Sequence, residues 1–202
     1  MRERGFTLLE LLIALSIVAA LLAIMLGGLR VGLAAWRQGD DRAEAHQHLR
    51  SLAGLLTRST AGAFPYRMAS EPGATPVVQF QGEERRLAFV TFSPPVPLAA
   101  PIAFTAVVFA FEEGERHGLS VREKALPNFE PFDEAATPVL VDPAVTGVTF
   151  RYLRPAGSWE SQWDGAAERA LPRAVEIRLT AELNGRVERF PPLTIELRAT
   201  PR

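Results

Sequence analysis

The apolar residues of this chain form one long N-terminal run, followed by shorter alternating stretches. From Leu11 to Leu29 there are 19 residues without a charge, about what a helix needs to cross a bilayer core of roughly 30 Å. Beyond that run, Leu49, Leu52 and Leu56 recur at the spacing of one helical face. The pattern predicts one near-continuous helix from about Phe6 to Thr60, half of it in a membrane and half outside.

A period of two replaces the helical period after Pro76. The predicted strands before the last pair are 77–81, 86–92, 102–112, 118–124, 136–141 and 145–154. The last pair begins with 174–183, where apolar and polar residues alternate, and Asn184-Gly185 then indicates a type I′ hairpin turn. The returning strand is interrupted at Pro191-Pro192 and resumes over 193–199, so we expect it at a sheet edge or bulge. The predicted fold class is α+β, with the long helix packed on an antiparallel β-sheet domain.

The charge and cysteine content narrow the possible partners. Among 202 residues, 22 are basic and 23 acidic, which gives a net charge of −1. This balance gives no electrostatic reason to expect nucleic acid as a partner. Because the chain has no cysteine, it can form neither a disulfide framework nor a cysteine-ligated metal site.

One carboxylate, Glu10, interrupts the apolar character of the N-terminal run. At the centre of a membrane helix such a charge costs about 2.5–3.5 kcal/mol on insertion scales, so Glu10 is a functional candidate. Arg2 and Arg4 favour a cytoplasmic N-terminus, although Arg30 and Arg37 on the far side weaken that preference. A secretory signal peptide is the main alternative, but the run is long, contains an acid and lacks an A-x-A-like cleavage site.

The sequence GFTLLE at residues 5–10, followed by the apolar run, resembles the cleavage site of type IV pilins and type II secretion pseudopilins. The resemblance implies that a prepilin peptidase cuts between Gly5 and Phe6 and methylates the new amino group of Phe6. Glu10 would then pair with the amine of a neighbouring subunit and set the register of assembly. The implied location is the bacterial inner membrane, with a single pass and a periplasmic C-terminal domain.

The stretch 150–179 resembles the J-type minor pseudopilins within that superfamily. The residues that carry this resemblance, together with the strand 174–177, are Tyr152, Gly157, Trp159, Trp163, Leu171 and Pro172. A purely structural interpretation makes Trp159 and Trp163 one-turn neighbours that fill a domain edge. The J-type resemblance implies a pilin-like fold, I-type and K-type minor pseudopilins and other pseudopilins as partners, and a place at the pseudopilus tip. There the chain would initiate the filament, promote protein export and contact secreted substrate proteins.

The same resemblance suggests a division of the chain into four parts. These are a prepilin leader (1–5), a transmembrane and filament helix (6–29), an amphipathic continuation (30–62) and a periplasmic β domain (76–202).

The remaining polar residues do not predict a catalytic, cofactor or metal site. His46 and His48 are two residues apart on a helix and so point about 200° from each other, which prevents them from sharing one ion. The acidic stretch 112–115 lacks the spaced oxygen ligands of a calcium loop. No G-x-S-x-G, G-x-G-x-x-G or Walker-type sequence occurs. We therefore expect no enzyme and no cofactor.

Two other functional classes remain open at this point. A minor type IV pilin serving adhesion or DNA uptake would share the N-terminal motif. A membrane-anchored periplasmic enzyme or sensor would leave the helix uncut. The enzyme would need a convergent polar cluster, and the sensor would need a cytoplasmic domain larger than five residues.

Overall fold

The chain begins with one long helix in the computed structural model, which describes residues 7–69, 73–96, 103–114 and 117–197, without the side chains of 34–35 and 37–46. The helix, α1 (Leu8–Ala61), is 54 residues long and continues through Gly27 and Gly28. This confirms the predicted single helix, while the predicted start at Phe6 lies outside the described residues. The chain divides into two units, Met1–His48 and Leu49–Arg202, and each is described by itself.

The described part of the first unit is the N-terminal portion of α1. Its segment Leu8–Leu33 is long and apolar enough to cross a membrane, and none of its most apolar stretch is buried in the protein. Large side chains such as Leu12, Ile17 and Leu22 are more than half exposed. A soluble protein rarely leaves so continuous an apolar surface uncovered.

In its described residues, the second unit contains the end of α1, thirteen strands and one short helix. In chain order the strands are β1 (Arg67–Met68), β2 (Val77–Val78), β3 (Phe80–Gly82), β4 (Arg86–Thr91), β5 (Thr105–Glu112), β6 (Gly118–Ala125), β7 (Leu140–Asp142), β8 (Val145–Leu153), β9 (Trp159–Glu160), β10 (Trp163–Asp164), β11 (Ala174–Leu183), β12 (Arg186–Arg189) and β13 (Leu193–Glu196). The short helix α2 (Gly165–Glu168) follows β10.

These strands form two main antiparallel sheets. The first has the order β10-β3-β4-β5-β6-β7, and the second has the order β12-β11-β8-β9, with β13 also paired to β11. β1 and β2 form a separate two-stranded ribbon. Together with α1, this arrangement confirms the predicted α+β, pilin-like fold.

A single hydrophobic core joins the two sheets and the end of α1. Leu52 and Leu56 of the helix lie in the same cluster as Phe89 of the first sheet and Ile177 of the second. Leu49 is also buried, so the leucines predicted to share one helical face are all covered by the protein. The predicted amphipathic stripe is therefore confirmed.

The last hairpin follows the sequence prediction closely. Asn184 and Gly185 have φ angles of 53° and 72°, and a type I′ turn requires positive φ at both central residues. β12 pairs with the end of β11 and β13 with its beginning. Between these pairings the outer chain has one more residue than β11, and this bulge contains Pro191-Pro192. Proline fits there because it has no N–H to donate to the neighbouring strand.

Other short elements differ from the prediction. The strand expected over 136–141 is reduced to β7, because Pro138 cannot donate a backbone hydrogen bond to β6. β9, β10 and α2 were not predicted, since elements of two to four residues are too short to show a period. The helical-neighbour interpretation of Trp159 and Trp163 is wrong, because they lie on β9 and β10, in different sheets.

A partly buried carboxylate, Glu123, lies on β6. Glu123 Oε1 accepts a hydrogen bond from the backbone N–H of Val96 at 2.7 Å. Its other oxygen is buried without a hydrogen-bond partner among the described residues. Burial raises the pKa of Glu123 above its usual value, because the charged form loses solvation.

We expect Glu123→Gln to raise the melting temperature at pH 7, by a few degrees at most. The raised pKa means that the folded state disfavours the charged form of Glu123. The resulting loss of folding stability therefore grows as the pH rises from the pKa of this group in the unfolded chain through its higher pKa in the folded chain. Glutamine is neutral and can still accept from Val96, so the advantage should disappear below about pH 4. Thermal unfolding of both proteins across pH 3–8 measures this, and Glu84→Gln at an exposed turn controls for the lost charge. A constant difference at every pH would contradict the explanation.

Candidate functional site

Glu10 and Thr7 bond to each other at the start of α1. The backbone N–H and the hydroxyl of Thr7 both donate to Glu10 Oε2, at 3.2 and 3.1 Å, and the backbone N–H of Glu10 donates to Thr7 Oγ1 at 3.2 Å. This reciprocal pattern is a capping box, which satisfies N–H groups that have no partner within the helix. Glu10 therefore has partners inside its own chain as well as being a candidate for pairing with another.

The capping box explains how a carboxylate is tolerated in this position. Glu10 lies in the first turn of α1, where the helix dipole favours a negative charge. Thr7 was not singled out from the sequence, although the spacing T-x-x-E ahead of an apolar run is a recognised signal for this motif. Gly5 and Phe6, the predicted processing residues, lie outside the described residues.

Tyr152 joins the two sheets at the centre of the second unit. It lies on β8 of the second sheet, and its hydroxyl donates to the backbone carbonyl of Glu83, just after β3, at 2.9 Å, with the carbonyl of Arg86 on β4 at 3.3 Å. Its ring meets Phe80 edge-on, with centroids 6.0 Å apart. Burial raises the pKa of Tyr152 far above its usual range, so the hydroxyl remains a proton donor at any physiological pH.

Gly82 makes the close approach of that ring possible. A Cβ at this position would lie 2.3 Å from Cζ of Tyr152, well inside contact distance. Sequence reasoning did not identify Gly82, because a glycine in a strand gives no indication of which side chain lies against it.

The side chains of Trp163 and Trp159 each have an arginine guanidinium over the ring. The indole N–H of Trp163 donates to the carbonyl of Ala170 at 2.9 Å, and the Arg154 guanidinium lies 5.4 Å from its ring centroid. Trp159 is half-buried, with the Arg151 guanidinium 5.9 Å from its ring. Both contacts have the geometry of a cation–π interaction.

The other residues of the J-type pattern lie in a turn and immediately before a strand. Gly157 has a φ of +93°, and its N–H bonds the carbonyl of Arg154 in the turn between β8 and β9. Leu171 and Pro172 are buried just before β11, and Leu171 belongs to the core. Tyr152, Trp163 and Leu171 thus share one core, whereas Gly157 and Trp159 lie at its margin.

The acidic and histidine-containing stretches contain no evident ligand cluster. Within the described parts of the chain, no three His, Asp or Glu side chains come together as a metal site would require. Glu112 pairs with Arg122 and Glu113 with Arg85, so these carboxylates have cationic partners. Glu115 and the side chain of His46 lie outside the described residues.

Comparison with known proteins finds two family models that match consecutive parts of the chain. The family model for type II secretion system protein J matches residues 27–192, and the model for the prokaryotic N-terminal methylation motif matches residues 1–26. The type II secretion system protein J of Xanthomonas campestris pv. campestris is 27% identical over 186 residues, which cover 88% of this chain and 87% of that protein.

These matches confirm the resemblance drawn from GFTLLE and from the stretch around Tyr152. The methylation motif contains Glu10, and the protein J match contains all the residues of the J-type pattern and every strand of the two sheets except β13. The match favours a secretion-system role over the alternatives of a minor type IV pilin and a membrane-anchored enzyme or sensor. The chain belongs to the type II secretion system protein J family, whose members are minor pseudopilins.

Proposed function

We propose that this minor pseudopilin is cut between Gly5 and Phe6 by a prepilin peptidase and methylated on the new amine of Phe6. It then resides in the bacterial inner membrane by a single pass, with the C-terminal domain in the periplasm. In this proposal residues 1–5 are the leader, 6–29 the transmembrane and filament helix, 30–62 its amphipathic continuation, and 76–202 the β domain.

The observation that carries the proposal is the methylation motif placed directly ahead of the protein J region. The segment Leu8–Leu33 adds physical support, because its apolar surface is uncovered in the isolated chain. Lipid can cover that surface before assembly, and the helices of neighbouring subunits can cover it afterwards. Glu10 lies at the end of the segment where a new amine on Phe6 would be formed.

We further propose that the chain assembles with I-type and K-type minor pseudopilins at the pseudopilus tip, where it initiates the filament and promotes protein export. The N-terminal helix would pack against other pseudopilins, and the β domain would recognise specific partners and contact secreted substrates. The role is structural rather than catalytic. Family membership supports this assignment, since the family functions within the secretion machinery.

The proposal predicts a mature chain that lacks residues 1–5 and begins at N-methylated Phe6. Mass spectrometry of the intact chain and of its N-terminal peptide, recovered from membranes of the native host, measures both changes. Gly5→Leu should leave the chain uncut, because the peptidase site requires a small residue there in the proteins it resembles. A wild-type chain that retains Met1, or one cut beyond Leu29, would contradict the proposal.

Co-purification tests the proposed place at the pseudopilus tip, which N-terminal cleavage and methylation alone would not establish. Crosslinked membranes should yield the I-type and K-type pseudopilins with the tagged wild-type chain and not with uncut Gly5→Leu. Recovery of type IV pilus subunits in their place would support the pilin alternative and overturn the tip assignment.

A further inference from the structure

The outer face of the second sheet contains a groove of about 390 Å³. We call it the arginine groove, and it is lined, besides apolar residues, by Arg85, Gly147, Thr149, Arg178, Thr180 and Arg189. Strand pairing places them together, because Gly147 lies opposite Thr180, Thr149 opposite Arg178, and Thr180 also opposite Arg189. The intervening Val148 and Leu179 point into the core.

Among the residues that the structure describes, every charged residue that lines the arginine groove is an arginine. Arg85 Nη1 bonds Glu113 at 2.6 Å, and Arg178 Nε bonds Glu176 at 2.9 Å. Each of these contacts uses one of the five N–H donors of a guanidinium, so the carboxylates hold the side chains in place and leave donors for a ligand. No ion pair joins Arg189 to another residue within the described ranges.

A glycine and two apolar residues also line the arginine groove. Gly147 contributes no side chain, which lowers the floor between Thr149 and Thr180. Phe190 and Pro192 line the groove beside Arg189, and Phe190 also packs against the hydrophobic core. An occupant that alternates acidic and apolar side chains would place carboxylates on the arginines and an apolar group against Pro192.

We propose that the arginine groove is the docking surface for an extended acidic segment of a partner protein. Guanidinium groups bind carboxylates through charge-assisted and often bidentate hydrogen bonds. Nucleic acid fits less well, because the chain has a net charge of −1 and so no overall attraction for a phosphate backbone. The surface lies wholly in the second unit, so the proposal does not depend on N-terminal processing.

Fluorescence anisotropy with the full-length chain in nonionic detergent tests the proposal. The probe is a fluorescein-labelled hexapeptide of alternating glutamate and leucine, compared with glutamine–leucine and lysine–leucine peptides. We expect binding of the glutamate peptide only, weakening as salt is raised. Equal binding of the glutamine or lysine peptide would overturn the proposal, because the arginines would then contribute no selectivity.

Two independent variants locate the binding site. Arg178→Glu combined with Arg189→Glu should weaken binding at least about tenfold. Gly147→Val should weaken it comparably by filling the floor. A side chain fits at Gly147 without strain, since its Cβ would meet only Thr180 Cβ, at 3.9 Å. A cooperative thermal transition confirms that each variant folds.

The matched control reverses the charge of two exposed arginines outside the groove, Arg67→Glu and Arg173→Glu. Its net charge changes by the same amount as that of the double groove variant. We expect the control to keep its affinity within about twofold; a loss equal to that of the groove variants would overturn the proposal. Soluble dihexanoyl phosphatidylglycerol and a thymidine oligonucleotide serve as competitors. Displacement by either at a lower concentration than by the unlabelled peptide would assign the groove to lipid or to nucleic acid and overturn the protein-partner proposal.

Discussion

Glu10→Ala is expected to remove this protein from the pseudopilus while leaving it in the membrane. If Glu10 pairs with the amine of a neighbouring Phe6, its loss leaves that amine alone in an apolar environment. Breaking a buried pair from one side costs about 3–5 kcal/mol, which corresponds to about a hundredfold or greater loss of incorporation. The measurements are the amount of chain isolated with partner pseudopilins and the amount of exported protein in the medium.

Glu10→Gln separates the two possible roles of the carboxylate. Glutamine can still accept the hydrogen bonds from Thr7, but it has no charge for the amine. We therefore expect the glutamine variant to fail in assembly as the alanine variant does. If it assembled normally, the capping box would be the essential function and the pairing proposal would be wrong. Ser16→Ala, in the same exposed stretch of α1, is the control and should assemble normally.

Gly82→Ala is expected to cause the largest loss of stability in the β domain. The new Cβ would meet the Tyr152 ring at 2.3 Å, and that ring is fixed by its hydrogen bond to Glu83 and by Phe80. Inserting atoms into a filled core commonly costs about 1–3 kcal/mol, and we expect about 3 kcal/mol or more here because the obstruction is a rigid ring. For a domain of this size the melting temperature should fall by about 6–12 °C.

The matched control is Gly147→Ala, also a glycine in a strand. Its Cβ would make only an ordinary contact with Thr180, so alanine should be neutral or slightly stabilising. The double variant Gly82→Ala/Tyr152→Leu should lose less stability than the sum of the losses in the two single variants. The reason is that leucine leaves empty the space that Cζ of Tyr152 occupies. Strict additivity in that double-mutant cycle would contradict the steric explanation.

Much of the fold follows from periodicity in the sequence. The long apolar run and the leucine stripe predict α1, and the alternation over β11 with Asn184-Gly185 predicts the last hairpin. These signals are strong because each spans many residues or a turn with a specific backbone requirement. GFTLLE likewise predicts the N-terminal methylation motif and, with the stretch around Tyr152, the family.

The remaining features depend on contacts between distant residues. β9 and β10 are two residues each and form because β8 and β3 pair with them. No local sequence pattern could therefore show that Trp159 and Trp163 lie in different sheets. The space requirement at Gly82 depends on Tyr152, which lies seventy residues further along the chain. The arginine groove combines residues from four separate stretches, and no local sequence pattern relates them.

The double proline in the outer strand of the second sheet has a consequence for solubility. An exposed sheet edge is a template on which another strand can pair, and such pairing leads to aggregation. Pro191 and Pro192 offer no N–H groups there, so a foreign strand cannot form a continuous hydrogen-bonded ladder along β12 and β13. Pairing with an unrelated strand along this edge of the second sheet is thereby disfavoured.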